Sequence, residues 1–319
     1  MSTKERIAAA LDIGPTAVML LVAKCLPDGV LEPINEYVAA TKLAENIFPD
    51  GTLSESAIEN TIKAASEMQA IAMKEGAQNL IVTASSIIRT TKNRSLFLLK
   101  CNQALNIYPQ VLSSKEEARF TFLGATENMD SSIPIIMINV GAGGTEIAYG
   151  TRNDIKSISC LASGTMNINE TFKLNVPTMS FLPGYSPTRQ ARSTVVKELE
   201  TKVGSEIYSW LSDRKPIVLA CGGVAVTYAA IIKKQFIYDR ALINFTESSR
   251  KELVEIYKTI SKMNDEGRRQ IPGMDPNRIS SMPAGLLILL TILSFYNFED
   301  FSITDKGIRL GILKYFMQR

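Results

Sequence analysis

The sequence predicts an α/β protein of two domains, and three observations carry that prediction. Apolar strand-like runs alternate with segments of helical periodicity along the chain. The length of 319 residues suits about two domains of ordinary size. One local pattern occurs twice: an apolar strand, then Asp or Asn, one residue, a glycine turn and a second strand. Its copies are Leu11-Asp12-Ile13-Gly14-Pro15-Thr16 and Ile138-Asn139-Val140-Gly141-Ala142-Gly143-Gly144-Thr145. Two copies of one hairpin suggest that each opens its own domain. The polar stretch Met129-Asp130-Ser131-Ser132 marks a boundary near Asn128–Pro134. The expected domains are therefore 1–128 and 129–319, the second with a helical insert.

Ile7–Ile13 and Val18–Ala23 form the first hairpin around Gly14 and Pro15. Ser54 stands as an N-cap before Ile58, Ile62, Ala65, Met68 and Ala72 at helical spacing, and Gly76 sits where a C′ glycine belongs. Leu80–Thr83 reads as a strand, with Arg89 in a turn beyond it. Ser113–Glu117 opens a helix carrying Phe120 and Leu123. Ile133–Val140 and Thr145–Tyr149 form the second hairpin, with a glycine-rich tip. Ser186–Ser209 reads as one helix, and Pro216–Ala220 as a buried strand feeding Gly222-Gly223 and the helix Val224–Ile232. Glu247–Lys262, Arg278–Phe295 and Lys306–Phe316 read as helices, with a strand at Asp300–Thr304. Pro272-Gly273 and Asp275-Pro276 break the chain before the long apolar helix.

Composition narrows the chemistry. The chain has no histidine, 21% charged residues, 45% hydrophobic residues and a formal net charge of +3. Without imidazole there is no Ser/His/Asp or Cys/His dyad, no phosphohistidine and no His-containing zinc or di-iron site. Proton transfer falls to a carboxylate, Lys, Tyr, Cys or ordered water. The small net charge gives no sign of nucleic acid or membrane as partners. Cys25, Cys101, Cys160 and Cys221 are scattered without a CxxC. That argues for a reducing compartment and against a disulfide scaffold, and they read as small core residues. No signal peptide is expected, because Met1–Arg6 is polar and charged. The longest apolar stretch, Ala284–Phe295, spans 12 residues against about 20 for a bilayer crossing, so a buried helix is expected. A cytoplasmic protein is the expectation. A homodimer would bury that helix, but the protein's own core would do so equally.

The tip Gly141–Gly144 is the most specific local feature. Three glycines and an alanine present backbone N–H groups with little shielding, and such a turn can form an anion-binding concavity for phosphate. Gly222-Gly223, at a strand end before a helix, suits the same use, although glycines in a tight turn are the plainer reading. Asp12 ends a strand beside its turn, where a carboxylate holds Mg²⁺ or only bonds turn N–H groups. Glu117 has a structural role open to it, since Ser114-x-x-Glu117 and Ser113-x-x-Glu116 both spell a capping box. Arg89 suits bidentate phosphate contact, with Lys92 and Arg94 nearby, or is a solvated surface residue.

Together these segments resemble the Ppx/GppA family of exopolyphosphatases and guanosine pentaphosphate phosphohydrolases, members of the actin-like superfamily. Leu11-Asp12-Ile13-Gly14 is similar to the family's first phosphate motif. Ala84-Ser85-Ser86-Ile87-Ile88-Arg89 with Asn93 resembles ATSALREAxN, and Ser114-Lys115-Glu116-Glu117-Ala118-Arg119 resembles SGxEEAR. Asn139–Glu146 resembles DIGGGSTE, and Gly222-Gly223 the late GG motif. Arg278, Ala284-Gly285 and Asp305–Gly311 resemble the C-terminal signature. The resemblance covers nearly the whole chain in the expected order.

The resemblance implies two RNase H-like domains facing a cleft, with phosphate bound between the hairpin tips. It implies Mg²⁺-dependent hydrolysis of a terminal phosphoanhydride of inorganic polyphosphate or pppGpp, the substrate partners being polyphosphate or guanosine penta/tetraphosphate. Glu117 falls on the catalytic glutamate, as general base for the attacking water. Arg89 falls on a phosphate-binding arginine, joined by Gly14, Thr16, Gly141, Gly143, Gly144, Thr145, Gly222 and Gly223. Asp12, Asn139 and Glu146 fall on the metal site. Longer family members add an HD-like domain, and the short two-domain form is expected here.

Several positions depart from the family pattern. Its second aspartate is Asn139, its middle glycine Ala142 and its motif serine Gly144. Ser-Asn of the first motif is Pro15-Thr16, and the residue after the late glycine pair is Val224. Asn139 brings no negative charge, and Pro15 has no N–H. Two further readings therefore stand beside the hydrolase. One is a weakened or inactive family member that binds (p)ppGpp or polyphosphate as a regulator. The other is an ATP-dependent kinase of the same superfamily, for which no adenosine site is identifiable.

Overall fold

The computed structural model describes residues 5–46, 50–84, 86–174, 186–212, 214–237 and 239–317. The chain divides into two units, Met1–Gly124 with Ile308–Arg319, and Ala125–Gly307.

The first unit contains β1 (Arg6–Ile13), β2 (Ala17–Cys25), β3 (Leu31–Ala40), α1 (Glu55–Lys74), β4 (Asn79–Ala84), α2 (Ser86–Thr90), α3 (Arg94–Leu105), β5 (Gln110–Val111) and α4 (Ser114–Ala125). Its five-stranded sheet runs in the order β3-β2-β1-β4-β5. β1, β2 and β3 are antiparallel neighbours, while β4 lies parallel to β1. Side chains alternate across β1. Ala9, Leu11 and Ile13 pack with α1 and α3, against Ile58, Met68, Phe97 and Cys101. Ala8 and Ala10 pack on the other face with Phe120, Leu310, Ile312 and Leu313. Asp12 continues that second face. Ser54 caps α1 by accepting from the N–H of Ala57, as expected. Gly76, at φ +85°, closes a Schellman turn, with the N–H of Ala77 bonded to the carbonyl of Ala72.

The second unit contains β6 (Ile135–Val140), β7 (Thr145–Thr151), β8 (Asp154–Leu161), α5 (Thr165–Phe172), α6 (Pro187–Glu198), α7 (Glu206–Leu211), β9 (Ile217–Cys221) and α8 (Gly222–Ile232). It continues with α9 (Arg240–Ile243), β10 (Thr246–Ser249), α10 (Arg250–Ser261), α11 (Asp265–Arg269), α12 (Met282–Phe295) and β11 (Asp300–Thr304). The six-stranded sheet has the order β10-β11-β9-β6-β7-β8. Read from β8 to β11, it repeats the first sheet's order: an antiparallel meander flanked by parallel strands. The duplicated hairpin is thus a duplicated RNase H-like topology. Ile136, Ile138 and Val140 face the core formed with α6, α8, α10 and α12, leaving Asn139 on the opposite face.

Several boundaries differ from expectation. The final helix α13 (Ile308–Met317) belongs to the first unit, so 129–319 is not one body. Its residues Leu310, Ile312 and Leu313 are buried with Ala8, Ala10 and Phe120. Gly311 lets the α13 backbone rest on the backbone of α4, where a Cβ would strike the carbonyl of Phe120. Ser186–Ser209 is three segments rather than one helix. A π-helical stretch, Leu199–Val203, follows α6, and Gly204 at φ +72° ends it. Residues 246–249 form the edge strand β10, in which Thr246 and Ser248 are buried, and the helix starts only at Arg250. α12 starts at Met282 rather than Arg278, with Pro283 in its first turn, where a missing N–H costs no helical bond.

The apolar helix α12 is buried within its own unit, so it gives no argument for a second copy. Among the described residues no helix is long and apolar enough to cross a membrane. Cys101 and Cys221 are buried, whereas Cys25 and Cys160 are half-buried.

Candidate active site

In the first unit, strand register places Asp12 opposite Met19 on β2 and opposite Thr83 on β4. The Thr83 hydroxyl donates to Asp12 Oδ1 at 2.7 Å. Asp12 is 3% exposed. Burial raises its pKa from the ordinary 3.8 to about 6, the Thr83 bond opposes this, Glu117 adds to it, and Arg309 works against it. Asp12 and Glu117 therefore share one electrostatic environment on the face lined by α4 and α13. Arg309 reaches that face from α13, bonding Glu36 Oε2 and Met19 Sδ, each at 2.8 Å.

The two overlapping capping boxes resolve cleanly. Ser113 and Glu116 make the reciprocal pair: the N–H of Ser113 donates to Glu116 Oε2 at 2.8 Å, and the N–H of Glu116 donates to Ser113 Oγ at 3.2 Å. Glu116 is held below the usual carboxylate range by these Ser113 bonds. Glu117, 9% exposed, instead turns to Arg89, whose Nη1 lies 3.0 Å from Glu117 Oε1. Arg89 sits in the short helix α2, not in a turn. Its Nη1 also donates to the carbonyl of Leu112 at 2.6 Å, and its Nη2 to Ser114 Oγ at 2.9 Å. These bonds tie Arg89 to the entry of α4 and fix where Glu117 points. Ser85 of the same motif lies outside the described residues.

The first hairpin tip is closed by the N–H of Gly14 donating to the carbonyl of Ala17 at 3.0 Å. The carbonyl of Pro15 accepts from Ala44, and that of Thr16 from Thr41 and Lys42. In a trans peptide the N–H opposes the carbonyl. The N–H of Thr16 therefore points away from the body of the unit, and Pro15 contributes none.

The second unit repeats this device with more donors. The carbonyls of Gly141 and Ala142 accept from the N–H groups of Thr165 and Met166 at 3.0 and 2.9 Å. The carbonyl of Gly143 accepts from Asn167 Nδ2 at 3.1 Å. With three consecutive carbonyls held inward, the N–H groups of Ala142, Gly143 and Gly144 face outward, the arrangement of an anion-binding nest. Thr145 instead turns inward, its hydroxyl donating to the carbonyl of Ser163 at 2.6 Å, and it is fully buried. Gly144 is required by space, since a Cβ would come within 2.7 Å of the carbonyl of Leu161.

Asn139 pairs in register with Glu146 and with Cys221. Its Nδ2 donates to Glu146 Oε2 at 2.9 Å. Gly222, at φ +81°, starts α8 directly after β9, and a Cβ there would collide with Asn139 Oδ1. A Cβ on Gly223 would collide with the guanidinium of Arg278, whose Nε pairs with Asp275 Oδ2 at 3.2 Å. Both glycines thus have a packing reason, and they place an arginine beside the first turn of α8.

Among the described residues no group of three or more His, Cys, Asp or Glu could hold a metal. A Mg²⁺ ion fits Asp12, a buried oxygen ligand whose raised pKa reports an uncompensated charge. Asn139 and Glu146 lie side by side through the Nδ2–Oε2 bond, which a cation shared by the two side chains would have to displace.

The sequence-predicted residues thus fall into two sets. Asp12, Gly14, Thr16, Arg89 and Glu117 lie in the first unit; Asn139, Gly141, Gly143, Gly144, Thr145, Glu146, Gly222 and Gly223 lie in the second. Thr83 was missed, because its bond to Asp12 depends on strand register. Arg278 and Arg309 carried a signal only as members of the C-terminal signature.

The model of the Ppx/GppA phosphatase family matches residues 22–319. The bifunctional 3-dehydroquinate synthase/phosphatase of Fusobacterium nucleatum is 26% identical over 317 residues, 95% of this chain and 45% of that protein. Exopolyphosphatase 2 of Mycobacterium tuberculosis is 22% identical over 290 residues, 88% of each chain. The guanosine-5'-triphosphate,3'-diphosphate pyrophosphatase of Aeromonas salmonicida is 22% identical over 309 residues, 96% of this chain and 58% of that one. The chain therefore spans about half the length of the first and third of these relatives. The structure of the Aquifex aeolicus PPX-GPPA enzyme superposes with a TM-score of 0.82 at 23% identity, covering 98% of this chain and all of that one. With the family model spanning all of the chain beyond β1 and the first part of β2, the chain belongs to the Ppx/GppA phosphatase family.

Proposed function

We propose that the chain is a phosphohydrolase that removes terminal phosphates from inorganic polyphosphate or pppGpp. The observation that carries this reading is the division of labour at the start of α4. Glu116 caps the helix, and Glu117 is turned instead toward Arg89, on the same polar face as Asp12. Glu117 is the general base for the attacking water, and Arg89 orients its carboxylate. In the second unit the outward N–H groups of Ala142, Gly143 and Gly144 are donors for phosphate oxygens, and in the first unit the N–H of Thr16 is another. Asp12 would hold Mg²⁺, which supplies neutralisation of phosphate charge when bound. The N–H groups act without proton transfer, so a chain lacking histidine carries the whole reaction on one carboxylate base.

One observation favours a second reading, a family member weakened in catalysis that binds (p)ppGpp or polyphosphate as a regulator. The Asn139–Glu146 hydrogen bond replaces a charge that the family motif places there. Phosphate release from polyphosphate and pppGpp with Mg²⁺ separates the two readings, with Glu117→Gln as control. The hydrolase reading expects release that Glu117→Gln lowers at least about 10²-fold. Tight calorimetric binding of either substrate, with release no higher than that of the variant, refutes it in favour of the regulator.

A further inference from the structure

Beneath the glycine tip lies a second layer of hydrogen bonds. Glu198 ends α6, where the backbone passes into the π-helical stretch Leu199–Val203, a feature that recurs at functional sites. Its carboxylate reaches back to the turn before α5. Oε1 accepts from the N–H of Ala162 at 3.0 Å, and Oε2 accepts from the N–H of Ser163 at 2.8 Å and from Ser163 Oγ at 2.6 Å. Lys202 Nζ completes the set at 2.7 Å from Oε1. Such charge-assisted bonds are about twice as strong as neutral ones. Burial works to raise the pKa of Glu198, but Lys202, the Ser163 hydroxyl and the two N–H groups outweigh it and keep the carboxylate below its usual range.

The turn that Glu198 grips is the one that grips the tip. The carbonyl of Ser163 accepts from Thr145 Oγ1. Gly164 lies so close that a Cβ would collide with the backbone of Ala142, Gly143 and Gly144. Thr165 and Met166 hold the carbonyls of Gly141 and Ala142. Asn167 Nδ2 bridges the carbonyls of Gly143 and Ala162, at 3.1 and 2.7 Å, tying tip and turn together. The inward carbonyls of Gly141, Ala142 and Gly143 are thus held by the first residues of α5, and the two residues leading into that helix, Ala162 and Ser163, give their N–H groups to Glu198. Without that carboxylate the turn's peptides can rotate, and a tip carbonyl facing outward would repel a phosphate oxygen.

We propose that Glu198 is a positioning residue for the phosphate-binding tip. It fixes the direction of the Ala142, Gly143 and Gly144 N–H groups through the 162–164 turn, without touching substrate. This rests on the tip's role as a phosphate site, proposed above.

The test compares Glu198→Gln, Ser163→Ala and Glu200→Gln. Glu200 is exposed and two residues along, so it makes the same charge change without the contacts. Two measurements are made: kcat and KM for tripolyphosphate hydrolysis, and amide hydrogen exchange over 141–145 without substrate. Glu198→Gln should raise KM about tenfold, with kcat within about threefold, because binding shared by ground and transition states is lost. It should also speed exchange at the tip. Ser163→Ala, which deletes only the hydroxyl bond, should move both in the same direction by less, and it carries the comparison should Glu198→Gln fail to fold. Glu200→Gln should match the unmodified chain. Tip exchange and KM indistinguishable between the Glu198 or Ser163 variants and Glu200→Gln overturn the proposal. Absence of turnover in the unmodified chain overturns the hydrolase reading instead, and exchange at the tip still decides the positioning role.

Discussion

Asp12→Asn isolates the electrostatic cost of burying a carboxyl near the end of β1. The carboxyl is buried, and its pKa is raised from 3.8 to about 6, chiefly by burial. A group raised in the folded state favours its protonated form there. Its contribution to stability is full below the unfolded value near 3.8 and is lost as pH rises through about 6. At about 1.4 kcal/mol for each pH unit, the loss amounts to about 3 kcal/mol. Asparagine keeps an oxygen acceptor for Thr83 and does not titrate in this range. Stability measured by urea denaturation in EDTA from pH 4 to pH 8 should therefore show Asp12→Asn gaining about 3 kcal/mol on the unmodified chain across the series, most of it between pH 4 and 6. Adding Mg²⁺ at pH 8 should stabilise the unmodified chain and leave the variant unchanged, because a bound cation favours the ionised form. A stability difference between the two proteins that stays flat over the whole pH range would refute the assignment of a buried, uncompensated carboxyl.

The second hairpin supplies the converse. Asn139→Asp places a carboxylate in hydrogen-bond distance of Glu146 and removes the donor between them. It should lower the melting temperature in EDTA by several degrees and restore it with Mg²⁺, the like-charge pair needing a cation. Thermal melts with and without the metal check this, and a gain in phosphate release with Mg²⁺ would accompany it in a hydrolase. Gly311→Ala should destabilise the first unit by at least about 3 kcal/mol, because the added methyl meets the carbonyl of Phe120, which is backbone and cannot swing aside. Urea denaturation checks this against Gly307→Ala, where a Cβ meets nothing within 4 Å and little change is expected.

Much of the fold was legible because its signals are local. The apolar strands β1, β2, β6 and β9 are buried along most of their length, and their hydrophobic runs announce them. β3 carries no legible period because it is an edge strand, with Glu32, Pro33, Ile34 and Asn35 all exposed and hence no buried face to set one. In sequence Thr246-Glu247-Ser248-Ser249, short and polar, reads as part of the following helix, and only its pairing with β11 makes it the strand β10.

The sequence alone determined the duplicated hairpin, the order of the phosphate motifs and the absence of imidazole, because each is a statement about neighbours in the chain or about composition. Tertiary structure decided what no local spacing contains. Two capping boxes of equal spelling overlap at Ser113–Glu117, and Arg89 arriving from another element leaves Glu116 to cap and draws Glu117 away. Asn139 reads in sequence as a lost charge, whereas strand register turns it into the hydrogen-bond partner of Glu146. The chain's last helix reads as the end of the second domain, yet its apolar face is buried with β1 and α4 of the first. Each outcome depends on which residues distant in sequence come within a few ångströms, where desolvation and hydrogen bonding act.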